Sequence, residues 1–222
     1  MQYGLHCVVG ALLRLRRDVE NFGLDLESRT EYFRRLKGDV ALFSADAIGV
    51  ALRRYQAEWA QAVLDDVREG KGTVTVVEMP RQTGKNQTSA HLELLLLARA
   101  SGLANGGSII KAAPTYQQVA NSIDRARRLG ASVSRKMPFL QYKPRRNNQL
   151  WCGAAQITFL SAQPRSSVVG STASMLMELD EAQDIETGKY DKDLSPMRAS
   201  TNACLVAYGT TWTDDTLLNR MK

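Results

Sequence analysis

With 222 residues, 44% of them hydrophobic and 23% charged, the chain can bury one sizeable α/β core with a small appendage. Its 29 basic and 23 acidic side chains leave a formal charge of +6, which suits a polyanionic partner, nucleic acid being the commonest. Three scattered cysteines (Cys7, Cys152, Cys204) and two histidines (His6, His91) argue against a disulfide framework and a zinc site, and the apolar run 92–97, interrupted by Glu93, is too short to span a bilayer.

Residues 1–50 read as a small helical subdomain without chemistry of its own. Val8, Val9, Leu12, Leu13 and Leu15 form an apolar stripe, and residues 31–36 repeat the pattern around Tyr32 and Phe33. His6 and Cys7 read as packing residues. Arg14, Arg16 and Arg17 follow the first apolar run instead of preceding it, the wrong order for a secretory signal, so the chain is expected to be cytoplasmic.

Residues 51–222 read as a second, larger unit. Arg53 and Arg54 open a helix continued by Trp59, Val63 and Val67. Within it the ring of Tyr55 can stack on adenine, and the Gln56 amide can pair with the adenine N6/N7 edge. Residues 73–77, β-branched throughout, predict a strand buried on both faces. The loop 78–87 follows, then a Leu- and Ala-rich helix over 88–100. Strand, tight loop and helix N-terminus form a phosphate cradle: unpaired first-turn N–H groups and the helix dipole favour an anion, and the Lys85 ammonium can reach β- and γ-phosphates. Arg81, Gln82, Thr83, Gly84, Asn86 and Gln87 complete the loop. The match to G-x-x-x-x-G-K-[ST] is imperfect, with Met79 at the first glycine and Asn86 at the Mg²⁺-binding hydroxyl.

Residues 108–113 predict a second strand, broken by Pro114. Thr115 and Gln118 form a capping box for a helix from Tyr116 to about Leu129, which places Arg125, Arg127 and Arg128 near its C-terminus, where cations suit the dipole whatever the function. A basic loop over 143–148 precedes a hairpin, 149–152 and 156–162, turning at Gly153. The Ser/Gly/Pro-containing connection 163–172 leads into an apolar strand, 175–181, which ends in Asp180 and Glu181. Two acids at the mouth of a buried strand are costly unless a cation is near. In a P-loop enzyme the first holds Mg²⁺ through water, and the second orients and deprotonates the attacking water. A short helix around 196–200, a buried strand over 203–208 and the hydroxyl-bearing turn Gly209, Thr210, Thr211 come next. Thr213, Asp214 and Asp215 predict the start of a last helix.

Tyr55–Gln56, Pro80-Arg-Gln-Thr-Gly-Lys-Asn86, the strand end Ala112-Ala-Pro-Thr115, Leu179-Asp-Glu-Ala-Gln183 and Gly209-Thr-Thr211 occur in one order. Over residues 50–222 this set resembles the ATPase motor of the large terminase subunit of tailed bacteriophages, which packages DNA into procapsids. The most specific piece is a deviant Walker A that begins with arginine. The resemblance implies a P-loop NTPase with an additional strand between Walker A and Walker B, its mostly parallel sheet flanked by helices, and a lid-like helical subdomain over residues 1–50. It implies ATP and Mg²⁺ as cofactors, Arg81 on phosphate, Lys85 as the Walker lysine, Asp180 at the metal and Glu181 as the catalytic carboxylate; Asn86 departs from the family's hydroxyl and is a metal-ligand candidate through its amide oxygen. Gly209–Thr211 would be the segment that couples hydrolysis to DNA movement. Implied partners are double-stranded DNA, further copies in a ring, the portal and the small terminase subunit, in the host cytoplasm. Some relatives donate an arginine across the subunit boundary from just before the glycine that precedes the Walker B strand; here Val169 stands there and Arg165 is the nearest arginine. No nuclease half follows the motor in this sequence, so DNA cleavage is not expected of it. A DEAD/DEAH-like helicase core, which fits Asp180-Glu-Ala-Gln183, and a non-hydrolysing P-loop module for DNA or assembly, which fits Met79 and Asn86, are the alternatives.

Overall fold

A computed structural model describes residues 26–146, 148–166, 170–210 and 213–222. The stripe expected over residues 8–15, together with His6, Cys7, Val169 and Thr211, lies outside them. Helices α1 (Leu26–Leu36) and α2 (Val40–Phe43) and the π-helical turn Ser44–Ile48 come first, then α3 (Arg54–Glu69). Leu36, Val40, Phe43, Ala47 and Ile48 pack into the same core as the sheet and α4 (Lys85–Ala100). That helix is buried all round, with Leu92 and Leu94–Leu97 at 1% exposure or less, which explains its uninterrupted leucines.

The sheet has seven strands: β1 (Val74–Glu78), β2 (Gly107–Ala113), β3 (Tyr142–Arg145), β4 (Gln149–Cys152), β5 (Ala155–Ser161), β6 (Leu176–Leu179) and β7 (Cys204–Gly209). Their order is β1-β7-β6-β2-β5-β4-β3. Pairing is parallel from β1 to β5 and antiparallel through β4 and β3. In the chain β2 to β5 run between the P-loop strand β1 and the carboxylate strand β6, and in the sheet β7 lies between those two, so they are separated by an additional strand, as expected. Period-2 alternation sorts side chains between two cores: Cys204, Val206 and Tyr208 face α3 and α4, while Leu205 and Ala207 face the short helices beyond β6. The register sets Glu78 beside Gly209 and Leu179 beside both Ala112 and Ala207, so the carboxyl ends of β1, β7, β6 and β2 form one edge. In parallel α/β sheets this edge is where ligands bind.

Four expectations need correction. Strand β1 is not buried on both faces: it is an edge strand paired only with β7 among the described residues, and Val77 alone is fully buried. The helix after β2, α5 (Tyr116–Lys136), runs well past Leu129. Gly130 is not a stop but a point of close approach, because a Cβ there would lie 2.8 Å from that of Tyr142, whose hydroxyl donates to Leu94 O at 2.6 Å. The basic segment from Lys143 is partly strand β3, whose edge position tolerates Pro144. The last helix, α8 (Leu217–Arg220), starts later than Thr213 and is capped by Thr216, which accepts from Asn219 N. Between β6 and β7 lie a 3₁₀ turn (Ala182–Asp184), α6 (Thr187–Lys189), a π-helical turn (Tyr190–Leu194) and α7 (Pro196–Ala199).

Candidate nucleotide site

Strand β1 delivers the chain at Glu78 to the ligand edge, and the loop turns back into α4 at Gly84, which is left-handed (φ 86°). Gln82 is also left-handed (φ 62°), a conformation costing a non-glycine residue on the order of 1 kcal/mol. Thr83 Oγ1 donates to Pro80 O at 2.8 Å and Thr88 Oγ1 to Gly84 O at 3.1 Å, stiffening the turn. A cleft of about 330 Å³ opens here, lined by Arg81, Gln82, Thr83, Gly84, Lys85, Asn86, Gln87, Arg125 and Glu181. Every loop residue singled out in the sequence from Arg81 to Gln87 therefore faces one cavity, together with Glu181 from the end of β6.

Lys85 is 7% exposed, and its Nζ donates to Met79 O at 2.8 Å and to Thr210 Oγ1 at 3.3 Å. Thr210 Oγ1 itself donates to Met79 O at 3.0 Å. The lysine is thus held at the cleft beside the residue after β7. Asp180, 1% exposed, accepts from Asn86 Nδ2 at 3.2 Å through Oδ2, whereas its buried Oδ1 has no hydrogen-bond partner among the described residues. Burial pushes the Asp180 carboxyl above its usual range; the Lys111 charge opposes this and the neighbouring Glu181 adds to it. A buried carboxylate with an orphaned oxygen beside an amide is a set of hard donors that fits Mg²⁺, which takes one or two protein oxygens and fills its octahedron with phosphate and water. Among the described residues no cluster of three or more His, Cys, Asp or Glu forms an all-protein metal cage.

Glu181 is left-handed (φ 47°, ψ 52°), a turn that swings its carboxylate away from the strand, and Gln183 Nε2 donates to its Oε2 at 2.7 Å. Tyr55 and Gln56 both dock on the loop: Tyr55 OH and Gln56 Nε2 donate to Thr83 O at 3.0 and 2.8 Å, and Gln56 Oε1 accepts from Arg53 N at 2.9 Å. Gly209 pairs with Glu78 across the β1–β7 register. Arg165 is exposed in the turn after β5 and does not line the cleft. Two further residues belong to the site. Arg125 enters it from the middle of α5, which is longer than expected. Gln183 closes the Leu179–Gln183 motif; its contacts cross between the ends of β6 and β7, and no local spacing encodes them.

Neither a protein-family model nor a curated protein matches the chain. Solved structures do. The HK97 bacteriophage large terminase aligns with a TM-score of 0.63 and 19% identity, over 82% of this chain and 39% of that one. The ATPase domain of the Thermus phage P74-26 large terminase aligns with a TM-score of 0.62 and 16% identity, over 78% of this chain and 70% of that one. The chain has the fold of a large-terminase ATPase domain. A large terminase from a thermophilic bacteriophage aligns less closely, with a TM-score of 0.51 and 14% identity, over 70% of this chain and 38% of that one. Because the chain spans 39% of the HK97 large terminase, what a whole large terminase does is a separate matter from this terminase-type fold.

Proposed function

We propose that the chain is the ATP-hydrolysing motor domain of a viral large terminase, driving double-stranded DNA into a procapsid in the host cytoplasm. The observation that carries this reading is the convergence of Lys85, Asn86 and Glu181 on one cleft, with Asp180 hydrogen-bonded to Asn86 behind it, on the carboxyl edge of a sheet with the terminase ATPase fold. Lys85 and the loop N–H groups would bind the phosphates, with Arg81 and Arg125 adding charge at the rim. Mg²⁺ bound at Asp180 and Asn86 would neutralise phosphate charge. Glu181 accepts a proton from water as the water oxygen bonds to the γ-phosphorus. The bond from that phosphorus to the β–γ bridging oxygen breaks, and its electron pair leaves with ADP.

The DNA partner is supported by a groove of about 670 Å³ lined by Arg127, Pro144, Arg145, Arg146 and Gln149. Among the described residues no carboxylate lines it. The Arg145 guanidinium lies 4.4 Å from the Trp151 ring centroid, which holds it in place for a phosphate. No described helix is long and apolar enough to cross a membrane.

The test pairs two variants. Lys85→Ala is expected to weaken fluorescent-nucleotide binding, whereas Glu181→Gln keeps binding and lowers phosphate release by roughly 10²–10⁴-fold. Turnover by Glu181→Gln near the wild-type rate would remove Glu181 as the catalytic base. A wild-type chain that binds nucleotide without turnover would favour the non-hydrolysing module.

A further inference from the structure

The reaction as proposed gives Gln183 no part, yet its side chain is held at both ends. Nε2 donates to Glu181 Oε2 at 2.7 Å and reaches Asp184 Oδ2 at 3.3 Å, while Oε1 accepts from the Thr210 backbone N–H at 3.2 Å. Thr210 in turn accepts from Lys85 Nζ at 3.3 Å. A single amide therefore stands between the water-activating carboxylate and the residue that touches the phosphate-binding lysine. The backbone makes room for it: a Cβ on Gly209 would lie 2.1 Å from Gln183 Oε1. The left-handed Glu181 and the 3₁₀ turn Ala182–Asp184 fold the chain back so that Gln183 reaches both partners.

A glutamate at the rim of an open cleft samples several rotamers, and most of them point away from a water in line with the γ-phosphorus. An N–H on one carboxylate oxygen selects one orientation and leaves the other oxygen for the water. We infer that Gln183 is a positioning residue: it holds Glu181 for proton abstraction and ties it to Thr210, so that Thr210 and the catalytic carboxylate move together. This rests on the ATPase reading above.

The experiment uses the whole chain with ATP and Mg²⁺, single-turnover hydrolysis and fluorescent-nucleotide binding. Gln183→Met keeps the volume and loses all three hydrogen bonds. Gln183→Glu keeps the shape but sets an acceptor against the Glu181 carboxylate. Both are expected to slow hydrolysis by about 10–100-fold while nucleotide affinity stays within about twofold of wild type. Combined with Glu181→Gln, Gln183→Met should cost nothing further, since its whole effect runs through Glu181. Gly209→Ala, which pushes on the same amide, should reproduce the loss and be non-additive with Gln183→Met. Wild-type hydrolysis by both Gln183 variants would overturn the assignment, as would an equal loss of affinity and rate. A wild-type chain that does not hydrolyse ATP would instead remove the ATPase reading beneath it.

Discussion

Asn86 puts a neutral amide where related loops carry a hydroxyl, and its side chain already meets Asp180 at 3.2 Å. An amide oxygen is a hard donor suited to Mg²⁺, but it sits one bond further from the backbone than a hydroxyl. In a Mg²⁺ titration of ATP hydrolysis, Asn86→Thr should need no more metal than wild type, and Asn86→Leu should need about tenfold more. Identical titrations would take Asn86 out of the metal shell. One position along the helix, Gln87 Nε2 lies 2.9 Å from His91 Nε2, and His91 Nδ1 lies 2.9 Å from Ser44 Oγ. Burial lowers the His91 pKa to about 4, with the Glu93 charge opposing. The unfolded histidine, near its ordinary value of about 6.5, protonates first as pH falls. The neutral His91 thus contributes stability that is fully present above about pH 6.5 and is lost towards pH 4, roughly 3 kcal/mol in all. Urea unfolding of wild type and His91→Gln at pH 7 and 4.5 should show the wild type losing more stability on acidification. Parallel losses would mean that His91 is not the group titrating.

Helix α5 shows at the scale of an element how far local sequence reaches. Its start was legible, since Thr115 Oγ1 accepts from Gln118 N and the Gln118 side chain accepts from Thr115 N, the capping box expected. Its end was not, because Gly130 is a stop in a helix considered alone and a contact once Tyr142 packs on it. The helix carries Arg125 into the candidate nucleotide cleft and Arg127 into the basic groove. The same limit hid the buried charges. Sequence alone shows Glu93 as an interruption in a leucine run and Glu178 as one acid in an apolar strand. In the fold both surround Lys111, whose Nζ donates to Glu93 Oε1 at 2.7 Å and to Ser89 Oγ at 2.6 Å and lies 3.6 Å from Glu178 Oε2. Burial disfavours the Glu93 anion, but Lys111 and its hydrogen bonds outweigh that; burial leaves Glu178 well above the usual carboxylate range, Lys111 opposing and Glu93 reinforcing. Strand and loop positions were readable because they depend on local spacing, whereas partners contributed by α4, β2 and β6 depend on register. Reversing charge in the groove, at the end of β3, tests its role. Arg145→Glu with Arg146→Glu should weaken duplex DNA binding at least tenfold and flatten its salt dependence by about two phosphate contacts, with basal ATP hydrolysis unchanged. Unchanged affinity and slope would place the DNA elsewhere.

For the molecule as a whole, the cleft holds a lysine and a glutamate beside a paired aspartate, but its arginines come from the loop and from α5, within one chain. Arg165 lies outside that cleft, exposed in the turn after β5 and close in sequence to the carboxylate strand. Its neighbours fix the turn: Ser166 Oγ donates to Ser161 O at 2.5 Å and to Gln163 O at 2.7 Å, and Lys189 Nζ donates to Ser166 O at 2.5 Å. An exposed arginine on a braced turn, absent from its own active site, suits insertion into the site of a neighbouring copy. There a guanidinium stabilises charge on the transferring phosphoryl and is worth about 10³–10⁵ in rate. Arg165→Ala should therefore lose activity only in the assembled protein and keep its affinity for nucleotide. Mixing separates this from a defect within the chain. Arg165→Ala subunits retain a complete Walker site, and Glu181→Gln subunits retain the arginine, so one kind of mixed interface has both. Under conditions where the copies assemble, ATP hydrolysis should reappear on mixing two inactive preparations, with a maximum near equal proportions. Co-assembly without recovered hydrolysis would exclude Arg165 as the donated residue. Full activity of assembled Arg165→Ala would do so without mixing, and would turn attention to Arg145 and Arg146, the exposed arginines of the basic groove.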